Sequence, residues 1–412
     1  MFNRLGLYAL CLQFLSASAQ TQGMLKVLSY NVAGLPELLS SGETPPPPHQ
    51  HPPHLPRLAP YNIINVEEDL NLHAALYASD THAYRTPTSS GAGIGSGLNT
   101  LSDYSYIDLN RGFTVGRVKI ADRAWVDVYS LHTDAGSDAG DIAARVKSLA
   151  QLGTHIDAWS AGMPVVVMGD TNSRYTRDSD ALHSFLSSTG TTDLWVQDLV
   201  ACEVVDKIFI RSSPAFTFFA SMFTNEHYSF VNVSGYPLSD HYPIRATLSW
   251  RVSTSLRLAD APGGPHGTAF NDIPALLTTS TPKLTSVTIR SANRVDAVSY
   301  TVKYASGATS TVSHGGTSGT AYTLTLNAGE RVIQTYTCTG NRNERFSGGY
   351  LFYLSLLTNQ GRTLAAGKTT GECATVGVPA DASAAGTWEL VAFWEREGDE
   401  VDKRLVIIHS ST

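Results

Sequence analysis

The run Pro164-Val-Val-Val-Met-Gly-Asp-Thr-Asn172 constrains this chain more than any other stretch. It is apolar throughout until Gly169 and then turns abruptly polar. A strand with no polar side has to be covered on both faces, which requires layers packed above and below its sheet. Other short apolar runs surround it: "MLKVLSYNV" begins as an alternating strand, "YNIINVEE" is a second run and "RAWVDVYSLHT" a third. Between the third run and Pro164, Ile142, Val146, Leu149, Ile156 and Trp159 recur at helical spacing, and Asp141 is placed to cap the helix start. Strands alternating with helices predict an α/β layered domain over residues 24–252. Two interruptions read as loops. "ETPPPPHQHPPHLPRLAP" is too proline-dense for helix or strand interior, and its His49, His51 and His54 read as exposed loop residues. "GAGIGSG" at Gly91–Gly97 has the wrong spacing for a dinucleotide loop and leads into the strand-like "LNTLSDYSYIDL".

Beyond Trp250 the texture changes. "LADAPGGPHGTAFND" is a Gly/Pro-rich linker and entry. Short alternating runs follow, among them "LTSVTIRS", "VDAVSYTVKY", "RVIQTYTC", "YLFYLSLLTN" and "KRLVIIHS", divided by Ser, Thr and Gly turns. Helical periodicity is nearly absent, so residues 256–412 are expected to form a second, all-β domain, a sandwich or prism. At the other end, Arg4, the apolar "LGLYALCLQFL" and Ala17-Ser18-Ala19 fit a secretory signal peptide over residues 1–19 and an extracellular location. No later apolar run is long enough to span a membrane. In an oxidising route Cys338 and Cys373 are the expected disulfide, and Cys202 is expected free and buried. Asn232-Val233-Ser234 is a glycosylation sequon, open to modification if exposed.

Charge divides unevenly. Residues 24–252 carry 15 Lys and Arg against 23 Asp and Glu, whereas residues 253–412 carry 13 of each. An acidic first domain suits a divalent cation and lacks the basic footprint of a broad nucleic-acid surface. Its polar residues recur where strands end. Asn31 follows "VLSY", Glu68 follows "IINV" after one residue, His132 follows "VDVYSL", and Asp170 and Asn172 follow "VVVM". Asp206 opens "DKIFI", and Asp240-His241 opens "YPIRATL". Ligand sites in layered sheets form at such ends, where loops converge.

The ordered set "SYNVAGLPE", "NVEED", "SLHTDAG", "GDTNSR", "VDKIF" and "SDHYPI" resembles the endonuclease/exonuclease/phosphatase superfamily across almost all of residues 24–250. The resemblance implies an α/β four-layer sandwich, deoxyribonuclease-like, that hydrolyses phosphoesters with Mg²⁺ or another divalent cation. It implies Asn31 and Glu68 as metal ligands. Asp170 and Asn172 would orient the nucleophilic water and the phosphate. Asp206, Asp240, His241 and His132 complete the implied catalytic set. The family's usual Gln-Glu is Glu67-Glu68 here, and a one-residue slip from Glu68 to Glu67 would turn the ligand to the other strand face. The extra acids offer room for a second cation.

The chemistry suits those residue types. Mg²⁺ takes oxygen ligands and keeps several waters, so one carboxylate and one amide oxygen suffice. His241 is expected as base, with Asp240 or Asp206 holding its ring, and His132 as acid. A serine hydrolase is excluded by the absence of a G-x-S-x-G elbow. Within the phosphoester class, "YNVAGLPE" beside "SDHYPI" resembles the secreted sphingomyelinase-like branch, pointing to a phosphodiesterase acting on a membrane phospholipid or sphingolipid. The alternatives are a secreted endonuclease, an inositol phosphatase, and a lectin with an inactive hydrolase domain. The aromatic run Phe216, Phe218, Phe219, Phe223 reads as a core strand, with a membrane-touching hairpin as the alternative.

The second domain also carries a resemblance. "GGPHGTAFND", "HGG" at His314–Gly316, "LTLNAGERVIQ", "LSLLTNQGRTL" and "LVAFWEREGDEVDKRLVII" are similar to jacalin-related lectins over roughly residues 256–410. This implies a jacalin-like β-prism that binds carbohydrate without a metal. The implied site lies between a Gly-rich loop at Gly264 and the segment Gly398, Asp399, Glu400 and Asp402. Lys403-Arg404-Leu405 departs from the family's usual continuation there.

Overall fold

Val165–Asp170 is a strand with all six residues buried, as its composition requires. The computed structural model describes residues 20–34, 57–70, 72–86, 97–110, 113–177, 181–198, 202–259, 267–276, 282–340, 350–377, 387–398 and 401–411. The proposed leader, the three histidines of the proline-rich loop and most of "GAGIGSG" lie outside them.

In chain order the first half comprises β1 (Gln22–Asn31), β2 (Ile63–Glu67), α1 (His73–Ser79), β3 (Tyr84–Arg85), β4 (Asn99–Ser102), β5 (Tyr106–Asn110), β6 (Thr114–Ala121), β7 (Ala124–His132), α2 (Ala139–Trp159), β8 (Val165–Asp170), α3 (Leu182–Thr189), β9 (Thr192–Asp193), α4 (Leu194–Asp198), β10 (Asp206–Arg211), β11 (Phe216–Asn225) and β12 (Ile244–Val252). They form two six-stranded sheets, ordered β11-β12-β1-β2-β4-β3 and β5-β6-β7-β8-β10-β9. Leu25, Val27 and Ile63 of the first sheet pack against Val126, Val128, Val166 and Met168 of the second. On the outer face of the second sheet, Leu149, Leu152 and Ile156 of α2 and Phe185 of α3 cover Tyr129, Val167 and Phe209. On the outer face of the first, Leu58, Leu76 and Phe230 cover Leu28, Ile64 and Val66. The result is the expected four-layer α/β sandwich.

Several local expectations change. "LNTLSDYSYIDL" is two strands in different sheets, because the chain turns at Asp103, which exchanges hydrogen bonds with Asn62. Helix α2 is capped by Asp138, and Asp141, inside the first turn, accepts from the Asp138 amide at 3.0 Å. Its inner face is rotated, so Val146 is 40% exposed while Arg145 is buried. Cys202 is exposed, on the loop leading into β10. Phe216, Phe218 and Phe223 are buried along β11, paired with β12, and only Phe219 faces out. Among the described residues no helix is long and apolar enough to cross a membrane.

The second half comprises β13 (Leu256–Leu258), β14 (Thr268–Asn271), α5 (Ile273–Leu276), β15 (Lys283–Ser291), β16 (Val295–Lys303), β17 (Thr309–Gly315), β18 (Thr320–Thr325), β19 (Val332–Gly340), β20 (Tyr350–Thr358), β21 (Thr363–Gly367), β22 (Glu372–Gly377), β23 (Thr387–Glu397) and β24 (Val401–Ser411). Three four-stranded sheets enclose one core that includes Val287, Tyr300, Leu354, Leu356 and Trp394, a β-prism. Cys338 and Cys373 face each other across β19 and β22 and are joined as a disulfide.

The two halves share buried surface. Met163 and Ala215 of the first belong to the core of the second. Arg117, paired in two-pronged fashion with Asp127, lies 5.1 Å from the ring centres of both Trp159 and Trp394. Arg396 in turn sits 4.2 Å over Trp159. Desolvated cation–π contacts of this kind are worth about 2 kcal/mol each.

Candidate active site

The ends of β1, β2, β7, β8 and β10 meet at one edge of the sandwich, which is why residues far apart in sequence converge there. Asp170 ends β8, buried and register-paired with both His132 on β7 and Asp206 on β10. Its Oδ2 is the focus of the site. Asn31 Nδ2 lies 3.3 Å away, His132 Nε2 3.5 Å and His241 Nε2 3.6 Å. The histidine distances are too long for direct hydrogen bonds and leave space for a bridging water or ion. Asp170 Oδ1 accepts from the Asn172 amide at 2.8 Å. Asn172, at φ 45°, donates from its side chain to the Thr133 carbonyl at 3.0 Å, tying the loop after β8 to the loop after β7. Gly169 is required here: at φ 149° a Cβ would stand 1.9 Å from the Leu131 carbonyl oxygen, prying His132 away from Asp170.

His241 is fixed from two sides. Its Nδ1 lies 3.0 and 3.2 Å from the two Asp206 oxygens, so Nε2 is the nitrogen left facing the site. The choice between Asp240 and Asp206 falls to Asp206; Asp240 is exposed and hydrogen-bonded to Ser239. Burial disfavours a charged ring, but the Asp206 bond and the charges of Asp206, Asp170 and Asp240 outweigh it and push the His241 pKa up to about 10. Ser239, which the sequence reading quoted but gave no role, donates to the Asn31 carbonyl at 2.7 Å and accepts from the His241 amide at 3.1 Å. One hydroxyl thus locks β1 to the histidine loop.

The acids of β2 separate cleanly. Glu68, in a left-handed conformation at φ 56°, brings Oε1 to 3.0 Å from Asn31 Nδ2 and 3.6 Å from His132 Nε2. Glu67 is fully buried, accepting from Ser29 at 3.2 Å. Burial, with Asp206 and Asp170 nearby, pushes its pKa well up. Asp69 is buried and engaged by His73 at 2.9 Å and by Asn99. Of the acids in "EED", Glu68 is the one in the site.

The donor set fits a hard cation. Glu68 and Asp170 share the Asn31 amide as donor, and Asp170 is register-paired with Asp206, so carboxylates gathered here suit a positive partner. Asp170, Asp206 and His241 also place one ligand atom each within 4.8 Å of one another. Asn31 Oδ1 accepts from the Ala33 amide at 2.9 Å and keeps a second lone pair for a cation.

Missed by sequence reasoning was Arg145, which donates to the Asp134 and Gly136 carbonyls and pins the loop after His132. Lys207 was also missed. Fully buried, it pairs with Glu203 at 2.7 Å and Asp193 at 3.3 Å, and Glu203 accepts from the Tyr175 and Thr176 amides after Asn172. A charged residue on a strand or helix carries no signal that it will face inward. In the second half, Gly264, Asp399 and Glu400 lie outside the described residues, as does the Asp402 side chain; Gly398 directly follows β23.

Comparison with known proteins matches both halves. Residues 54–204 match the family model of endonuclease/exonuclease/phosphatase family 2, and residues 259–404 that of the jacalin-like lectin domain. Sphingomyelinases of Mycobacterium bovis and Mycobacterium tuberculosis are 35% identical over 259 residues, covering 54% of this chain and 52% of theirs. The chain thus spans about half the length of the curated relatives it matches. Among solved structures, SmcL is 16% identical with a TM-score of 0.39, covering 55% of this chain and 99% of its own. AcmJRL, a mannose-binding jacalin-related lectin from Ananas comosus, is 26% identical with a TM-score of 0.32, covering 38% and 99%.

Proposed function

We propose that this chain, an endonuclease/exonuclease/phosphatase-like region followed by a jacalin-like lectin domain, is a secreted, divalent-cation-dependent phosphodiesterase. Its substrate is a sphingomyelin-type lipid, and the second domain holds it to carbohydrate. The observation that carries the reading is the convergence of Asn31, His132 and His241 on one buried carboxylate oxygen of Asp170, beside Glu68. The identity to sphingomyelinases favours the lipid over DNA or an inositol phosphate.

Asn31 and Glu68 would hold the cation, which when bound neutralises charge on the phosphoryl oxygens. Asn172 and the protonated face of His132 would orient the phosphate. His241, its ring set by Asp206, removes the proton from the attacking water through Nε2. As the water oxygen bonds to phosphorus, the bond to the leaving alkoxide breaks, and His132 supplies the alkoxide's proton. The base role requires a neutral His241. The acids that raise its pKa are those that a dication would neutralise, so cation and base are linked.

The test offers the purified chain sphingomyelin, plasmid DNA and an inositol phosphate, with Mg²⁺ and with chelator. Chelator-sensitive release of phosphocholine from sphingomyelin is expected. Turnover of DNA alone would make it a nuclease, and no turnover on any substrate would leave a lectin with an inactive hydrolase domain.

A further inference from the structure

The loop that delivers Ser239, Asp240 and His241 also carries the chain's single Asn-x-Ser/Thr sequence, Asn232-Val233-Ser234. Residues 231–237 fold as a small hairpin closed by the Val231–Pro237 bridge and by the Asn232 amide donating to the Tyr236 carbonyl at 2.7 Å. Gly235, at φ 84°, makes its turn. Val233, Ser234, Gly235 and Tyr236 are all exposed. The Asn232 side chain is used one-sidedly: Oδ1 accepts from the Ser234 amide at 2.9 Å and from the Tyr236 amide at 3.0 Å. Among the described residues Nδ2 donates no hydrogen bond. Neither Val233 nor Gly235 is proline, which would block the sequon.

We propose that Asn232 carries an N-linked glycan. Transfer acts on the chain as it enters the secretory route. The Nδ2 nitrogen bonds to the anomeric carbon of a polyprenyl-diphosphate-linked oligosaccharide, the polyprenyl diphosphate leaves, and the nitrogen's proton passes to the transferase. The folded protein then has to accommodate the product. Here it does so without losing a bond, because the hairpin is held by Oδ1 and the backbone while Nδ2 is free to carry the sugar. A bulky, solvated group follows on the loop that leads to Ser239, Asp240 and His241. The inference rests on the secretory reading and is independent of the phosphodiesterase reading.

The full chain is expressed in a eukaryotic secretory host twice, behind its own leader and behind an unrelated cleaved leader. Intact mass is measured before and after peptide N-glycosidase. The expected result is loss of the mass excess on treatment, with Asn232 converted to Asp in its peptide, and no excess in Ser234→Ala. That variant keeps the Ser234 amide and so the hairpin bond. Asn232→Gln should behave likewise. A glycan seen only behind the unrelated leader supports the site and sinks the secretory reading. Secreted protein from both forms with Asn232 unmodified overturns the inference.

Discussion

Each half of this molecule contains a histidine gripped by both oxygens of an aspartate, and the two pairs have opposite characters. In the first half, Asp206 holds His241 by Nδ1, leaving Nε2 directed toward Asp170 across 3.6 Å. In the second, Asp272 holds His314 by Nε2 at 3.0 Å from each oxygen, while Glu397 takes Nδ1 at 3.1 Å. Phe270 stacks on the His314 ring at 3.7 Å, and Tyr300 donates to the same aspartate at 2.5 Å. Both rings have raised pKa values, so titration alone does not distinguish them. The difference is whether a nitrogen remains unengaged and open to a reactant. His241 has one directed into the site; His314 is enclosed by acids on both sides, hydrogen-bonded through Nε2 to Asp272 just after β14 and with Nδ1 3.1 Å from Glu397 of β23.

The sharpest way to break this contrast is to remove each ring. His241→Ala should lower turnover of a soluble diester by about 10²–10⁴-fold, and by leaving buried Asp206 without its partner it should also cost stability. Unchanged turnover would end its assignment as base. His314→Ala should cost stability while sparing turnover. It strands Asp272 and Glu397 beside each other, costing about 3–5 kcal/mol in urea unfolding, with soluble-substrate turnover retained in the folded fraction.

A pH series sharpens the comparison. Burial would lower the His314 pKa, but Asp272 and Glu397 outweigh it and push it up to about 9 from an ordinary 6.5. Its stabilisation is therefore fully present below about 6.5 and fades as pH rises through about 9, by roughly 3 kcal/mol at the upper bound. Measured in the His241→Ala background, the alkaline fall in stability should persist, and adding His314→Ala should flatten it. A fall that survives both changes would place its cause elsewhere.

The smallest expected effect discriminates between neighbours in sequence. Asp206→Asn should impair turnover strongly, because an amide can set the ring but cannot stabilise its charge. Asp240→Asn, on an exposed side chain that does not hold the ring, should change turnover and stability by no more than about 0.5 kcal/mol. Equal losses in the two variants would contradict the geometry.

The layered fold was legible because periodicity reports burial directly: a strand as apolar as Val165–Met168 has few places to go. The site was legible as a set of strand-end residues, since strand ends are where a sheet exposes polar side chains. Partnership was not. Nothing in "SDHYPI" tells His241 to pair with a residue 35 positions earlier rather than with the aspartate beside it. Arg145 and Lys207 were invisible because nothing in their local sequence shows that the chain folds carbonyls or acids around their charges inside the protein. Cys202 was expected inside because free cysteines usually are, but its loop leaves it in solvent.

The stack of Arg117, Trp159, Arg396 and Trp394, with Met163 and Ala215 sunk into the neighbouring core, has a mechanical consequence. A tethered pair of modules samples many separations, and each gains from the other only an elevated local concentration. Here the two halves are welded, so the molecule behaves as a caliper with one set opening. On the proposed reading, a ligand held by the β-prism and the ester to be cut would have to lie at that fixed reach and angle.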